Sequence, residues 1–275
     1  MNPFPSGAAV GGFKLPSLDL LGRDLLVVPA WRRAVSLATP FLLAIAFFVC
    51  AGNGLWMASI GCTTLLTFVT YGSISHDLVH RTLRLPAVFN DGLLCAIELT
   101  AFRCGHAYRI THLNHHKRFP AVDDLEGAAA RMTWWRALLD GITLQPRLWL
   151  FAFRCGRDRA WIVSEAIAVL LLVVAAIAAI HWTIAPVVYA ALMVLGSWLF
   201  PFMTSFIPHD PTGTSELTRT RLFRGPVLSI IALEHLYHLE HHLYPQVPHH
   251  NWPELGRRLD PYFASVGLHP VRLFF

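Results

Sequence analysis

The chain has 275 residues, 55% of them hydrophobic and only 14% charged, with a net charge of +5 and a mean hydropathy of +0.48. Soluble domains carry about 25% charged residues, so the composition excludes an ordinary soluble globule. The basic residues are scattered and form no recognisable nucleic-acid-binding module, so the positive balance points to membrane topology and lipid headgroups instead.

The N-terminal segment MNPFPSGAAVGGFKLPSLDL lacks the basic stretch, apolar core and cleavage site of a signal peptide, and none is expected. An arm over 1–33 ends in Arg32 and Arg33, placed at a membrane edge. Residues 34–75 then contain no Asp, Glu, Lys or Arg, and neither do residues 166–208. At a rise of about 1.5 Å per residue against a hydrocarbon core of about 30 Å, each run is long enough to cross a bilayer twice. Each breaks near its middle, at AGNG (51–54) and HWTIAP (181–186), where Gly, Asn and Pro favour a turn. Two helical hairpins follow, with helices over roughly 34–51, 55–75, 162–180 and 185–208.

Segment 85–102 is apolar but short and holds Asp91 and Glu98, which suits an interfacial or re-entrant helix better than a fifth span. Over 131–161 arginine alternates with Trp and Leu. Two readings fit: a headgroup-level helix anchored by Trp134, Trp135 and Trp149, or a soluble amphipathic helix capping a site. All 22 Lys and Arg lie outside the hairpins, so the positive-inside rule puts both termini and segments 76–165 and 209–275 in the cytoplasm. The expected architecture is an all-α integral membrane protein of one domain, 1–275. It has four transmembrane helices in two hairpins and a cytoplasmic helical cap. The five cysteines show no CxxC spacing, and neither disulfides nor a thiolate zinc site is expected.

Twelve of the fifteen histidines cluster in three places, over 76–80, 106–116 and 235–250. In HDLVH, His76 and His80 are i and i+4 on one helical face. HLNHH sets His112, His115 and His116 at i, i+3 and i+4, and HLEHH repeats this with His238, His241 and His242. A lone HxxxH is weak, because such pairs also arise by chance or as a polar face; three such clusters on one side of a membrane are specific for a metal centre. Eight imidazoles exceed one tetrahedral zinc and suffice for two ions with about four each, and nitrogen ligation without cysteine favours iron. Asp77, Asp210 and Glu240 are positioned to orient imidazoles through their second N–H; a solvated surface charge is the alternative, above all for Glu240. His106 and His235 lie near the clusters but off their spacing and are supporting candidates. His249 and His250 read as interfacial polar residues, and His181 and His269 as remote from the metal.

The ordered set HDxxH, HxxHH, HxxHH with two membrane hairpins resembles the membrane fatty acid desaturase superfamily over about residues 34–255. That superfamily includes acyl desaturases, fatty acid hydroxylases, and carotenoid ketolases and hydroxylases. The resemblance implies a histidine-ligated pair of iron ions that uses O2 to attack an unactivated C–H bond of an apolar chain delivered from the bilayer. It also implies a further histidine ligand after the fourth span, here His209, with Ser205 at i−4. The three-residue gap in HDLVH is that of acyl-lipid and carotenoid enzymes. The chain carries no fused cytochrome b5 or rubredoxin segment, which implies a separate electron donor of ferredoxin or cytochrome b5 type. The acidic motif usual after the second cluster is replaced by VDDLEGAA, where Asp123 and Asp124 either support the ligands or form an exposed turn.

The ending HHLYPQVPHHNWPEL favours desaturation of fatty acyl chains of lipids, with a carotenoid ketolase or hydroxylase as the alternative. A metal transporter or sensor is the more remote reading, because transport needs ionisable ligands at mid-membrane and Glu165, near the end of one expected span, is the only charge within the four.

Overall fold

In the computed structural model, residues 9–10, 13–225 and 235–272 are described, apart from the side chains of Ala9, Val10, Phe13 and His235. The expected supporting role of His235 therefore lies outside the described residues.

The fold is almost entirely helical. Helix α1 (Ala30–Gly52) turns at Asn53–Leu55 into α2 (Trp56–Val69), which runs through a π-helical turn (Thr70–Ile74) into α3 (Ser75–His80). Next come α4 (Ala87–Thr100), α5 (Gly105–Arg118) and α6 (Trp134–Arg154). The second hairpin pairs α7 (Arg159–Ala178) with α8 (Ala185–Ser197), beyond which lies a second π-helical turn, Pro201–Phe206. Short α9 (His238–Leu243) and α10 (Trp252–Ser265) complete the chain. Among the described residues, strand is confined to two-residue pairs, antiparallel Ala9–Val10 with Phe13–Lys14 and parallel Phe223–Arg224 with Val271–Arg272.

Among the described residues, four helical stretches are long and apolar enough to span a membrane: Arg23–Gly52, Trp56–His80, Arg159–His181 and Ala185–Phe206. They are the four expected; the first three reach beyond the uncharged runs, because charged residues continue the helices at their ends, while the fourth stops at Phe206. The second continues through the π-turn to His80, so the first histidine pair rides on a spanning helix. Helix α4 is not among the four, in keeping with its length. Leu42, Ile45, Leu65, Leu170, Leu171 and Val174 stand exposed around the bundle, an apolar belt that only lipid can cover without cost.

Helix α6 is amphipathic. Ala137, Gly141, Leu144, Leu148 and Ala152 recur at helical spacing on its buried face, while Trp134, Trp135 and Trp149 are exposed. Any side chain at Gly141 would collide with the Trp198 carbonyl, so glycine sets how closely α6 approaches the end of α8. The N-terminal arm folds back over the C-terminal segment: Leu15, Leu21 and Leu25 share an apolar core with Trp252, Leu255 and Phe263.

The histidine end of the bundle rests on a buried ion pair. Arg103 Nε lies 2.7 Å from Glu98 Oε2 and its Nη2 3.0 Å from Oε1, a two-pronged contact, and Nη2 also donates to Thr70 Oγ1 at 2.7 Å. Both side chains are almost wholly inaccessible. The guanidinium also stands over the Phe200 and Tyr71 rings, 5.0 and 5.6 Å from their centroids. It thus joins α4 to both π-turn regions. Glu98→Ala strands a buried cation and should cost about 3–5 kcal/mol. A large drop in melting temperature in detergent, relieved in the Glu98→Ala/Arg103→Met double variant, is the expected outcome; an unchanged single variant contradicts it.

Candidate metal centre

Nine of the described imidazoles converge at one end of the bundle in two groups. His76, His80, His112, His116 and His241 form one; His115, His209, His238 and His242 form the other. Within each group the ligand-type nitrogens all lie within 4.8 Å of one another. All nine are the histidines singled out in the sequence, His209 included, grouped five and four. His181 stands exposed on the turn after α7, at the far end of the hairpin, and joins neither group.

Helical geometry explains the sorting. Positions i and i+4 point to nearly the same side of a helix, while i+3 is offset on the other flank of that direction. On α5, His112 and His116 accordingly serve the five-histidine group and His115 the other. On α9 the roles reverse: His238 and His242 serve the four-histidine group and His241 the five. Each HxxHH motif therefore reaches both groups.

The hydrogen bonds fix which nitrogens face inward. His209 Nδ1 donates to the Ser205 carbonyl at 3.1 Å, so in the neutral ring Nε2 is a bare lone pair. His115 Nδ1 donates to Asp124 Oδ2 at 2.7 Å, leaving its Nε2 bare as well. These two Nε2 atoms face each other at 3.1 Å. Two lone pairs at that separation repel. The pattern continues with Nε2 to Nε2 distances of 3.2 Å from His209 to both His238 and His242, 2.9 Å from His112 to His76, and 2.7 Å from His116 to His241. His80 Nε2 is buried with no hydrogen-bond partner. Protonation would relieve the repulsion, but burial opposes it and holds His112, His116, His209, His241 and His242 well below the ordinary imidazole range. Neutral, inward-facing imidazole nitrogens are what metal cations bind, so the donor set fits a metal site.

Carboxylates back the site from outside. Glu126 Oε1 accepts from His112 Nδ1 at 2.8 Å, and Asp124 does the same for His115. Burial, with repulsion from Asp124, pushes the Glu126 carboxyl well above its usual range; divalent charge borne by His112 would act in the opposite sense. Sequence reading offered the Asp123–Asp124 pair and missed Glu126, which carries no spacing signal and is brought in by the turn Glu126–Arg131. The pair divides: Asp123 is exposed and paired with Arg118, while Asp124 is buried.

The three acidic residues expected to orient ligands have other partners. Asp77 is buried against His249, with Oδ2 2.7 Å from Nδ1 and Oδ1 accepting the His249 backbone N–H at 3.0 Å. Asp210 accepts from the Thr212 backbone N–H and hydroxyl in a local turn. Glu240 faces away from the imidazoles of its own helix toward Arg224, 2.6 Å distant, and burial pushes its carboxyl up to about 7 against that cation's pull. His249 is buried, not interfacial, because its partner comes from 172 positions away. His106 pairs with Glu165, its Nδ1 2.7 Å from Oε1, and this couple ties α5 to α7.

An apolar groove of about 280 Å3 runs between α2 and α8, lined among others by Thr67, Phe68, Leu195 and Met203. Its inner end is Tyr71 and Phe200, stacked at 4.0 Å; Tyr71 also stacks on Tyr108 at 4.2 Å, and Tyr108 lies 5.4 Å from His112. The groove thus approaches the histidines from the lipid-facing belt.

A family model described as fatty acid desaturase matches residues 54–273. No curated protein matches the chain.

Removing a partner that fixes an imidazole tautomer typically lowers metal affinity 10–100-fold. Asp124→Ala and Glu126→Ala should each show a loss of that order in equilibrium dialysis, whereas Asp123→Ala should leave binding unchanged. Equal effects of all three would contradict the assignment.

Proposed function

The chain belongs to the fatty acid desaturase family, a family of membrane oxidoreductases, and on that premise we propose that it binds two iron ions and uses O2 to desaturate fatty acyl chains of lipids. The observation that carries the reading is the convergence of nine imidazoles, grouped five and four, with the bare Nε2 atoms of His115 and His209 facing each other. His76, His80, His112, His116 and His241 would hold one ion; His115, His209, His238 and His242 the other. When bound, the ions would activate O2, which with two electrons from the donor provides the oxidising power to remove two hydrogens from the acyl chain and ends as water.

The remaining chemistry belongs to the chain. Asp124, Glu126 and the Ser205 carbonyl hold the Nδ1 protons of His115, His112 and His209, which keeps each Nε2 free for a cation. The Tyr71, Tyr108 and Phe200 rings wall the centre with apolar surface, which excludes water and admits an alkyl chain. The groove between α2 and α8 offers that chain a path from the bilayer. The exposed tryptophans of α6 suit a helix lying at headgroup level. The distribution of Lys and Arg supports a cytoplasmic centre and cytoplasmic termini, and the lack of an internal repeat or linker in the sequence supports a single domain. Electrons then come from a separate cytoplasmic protein of ferredoxin or cytochrome b5 type.

Purified protein should contain about two irons per chain, in line with two ligand groups. Stoichiometric zinc in active protein would refute the di-iron assignment. His209→Ala should lose iron and turnover, while His181→Ala should retain both. Expression in a host with simple lipids, followed by mass spectrometry, should show acyl chains lighter by two hydrogens. Oxygenated pigments with unaltered acyl chains would assign the protein to carotenoid chemistry instead.

A further inference from the structure

One more cluster of ligand-type side chains stands apart from the nine histidines among the described residues: Asp77, His249 and His250, whose ligand atoms lie within 4.8 Å of one another. They come from α3 and from the helical turn His249–Asn251 preceding α10. A cavity of about 190 Å3 adjoins them, lined by Ser36 and Thr39 of α1, Ser73 of the first π-turn, and both histidines.

Asp77 is a fully buried carboxylate that already accepts two hydrogen bonds from His249, and two further observations point to a cation beside this pair. His250 Nε2 lies 2.8 Å from Ser36 Oγ, while its Nδ1 is buried with no hydrogen-bond partner. With Nε2–H donated to the hydroxyl, that Nδ1 is a bare lone pair. An imidazole whose outer N–H is held by an oxygen while its other nitrogen stands free has the arrangement of a metal ligand. Ser73 Oγ, 5% exposed by residue and also without a partner, lines the same cavity. Two imidazoles and one carboxylate form a donor set for a first-row divalent ion such as zinc or iron(II), and are too nitrogen-rich for magnesium or calcium.

We propose that Asp77, His249 and His250 form a third metal site, distinct from the nine-histidine centre, for a divalent ion of the zinc–iron class. An ion there would tie α1, through Ser36 and His250, to the end of the second spanning helix and to the segment leading into α10. It would be a clamp across three parts of the chain that meet only in the fold. This goes beyond the proposed desaturase chemistry and does not depend on it.

The test is metal counting on the full-length protein, loaded with iron and then dialysed against micromolar zinc. Total metal of three per chain is expected, falling to two in His250→Asn with the other two retained. Ser36→Ala, which removes only the hydroxyl that holds the ring, should weaken retention of the third ion several-fold and serves if the asparagine variant does not fold. A total of two in wild type and variants alike would overturn the proposal. So would zinc that enters only as iron leaves, since it would then occupy the nine-histidine centre. A single metal per chain that disappears in His250→Asn would uphold this site while refuting the two-iron centre.

Discussion

Nine imidazoles turn ring nitrogens toward one another at one end of the bundle, an arrangement that the polypeptide stabilises poorly alone. Burial opposes protonation of His112, His116, His209, His241 and His242, and His112, His115 and His209 already donate their Nδ1 protons outward. The rest of the architecture counters that repulsion. Carboxylates and a carbonyl grip the outer edges of the rings, α5 and α9 each reach both groups, and the Glu98–Arg103 pair ties α4 to both π-turn regions beneath them. A cation between the nitrogens turns the repulsion into attraction. Metal occupancy and stability of this end of the bundle are therefore coupled.

The spanning helices were legible in the sequence because uncharged runs of that length have few other uses in a protein. The histidines were legible because three- and four-residue spacings place side chains on one helical face whatever surrounds them. Even the extra histidine beyond the fourth span, known only through family resemblance, falls among the others. Spacing alone could not divide them into five and four: it yields directions around a helix, but the partition depends on how α5 and α9 face each other.

What stayed hidden is tertiary. Glu126 carries no pattern and gains its place from a short turn. Asp77 sits in the motif HDLVH and looks like a support for its neighbours, yet its partner is His249, on the far side of the sequence. Glu240 lies between ligands on α9 and turns to Arg224, because alternate flanks of a short helix serve different neighbours. Local periodicity predicts which way a side chain points and is silent on what waits there.

The two π-helical turns give the centre its angular setting. In each, a backbone N–H reaches back five residues, from Ser75 to Thr70 and from Ile207 to Phe202, so one extra residue is accommodated; the first turn leads on into α3, and the second closes the fourth span. An added residue advances everything beyond it by about 100° around the axis. The histidines carried beyond each turn are thus aimed by a phase shift stored several residues earlier. Deleting one residue from Thr70–Ile74 would leave composition, hydropathy and every motif intact, yet swing His76 and His80 toward a different face. The helices act as vernier scales, and the π-turns are where the zero is set.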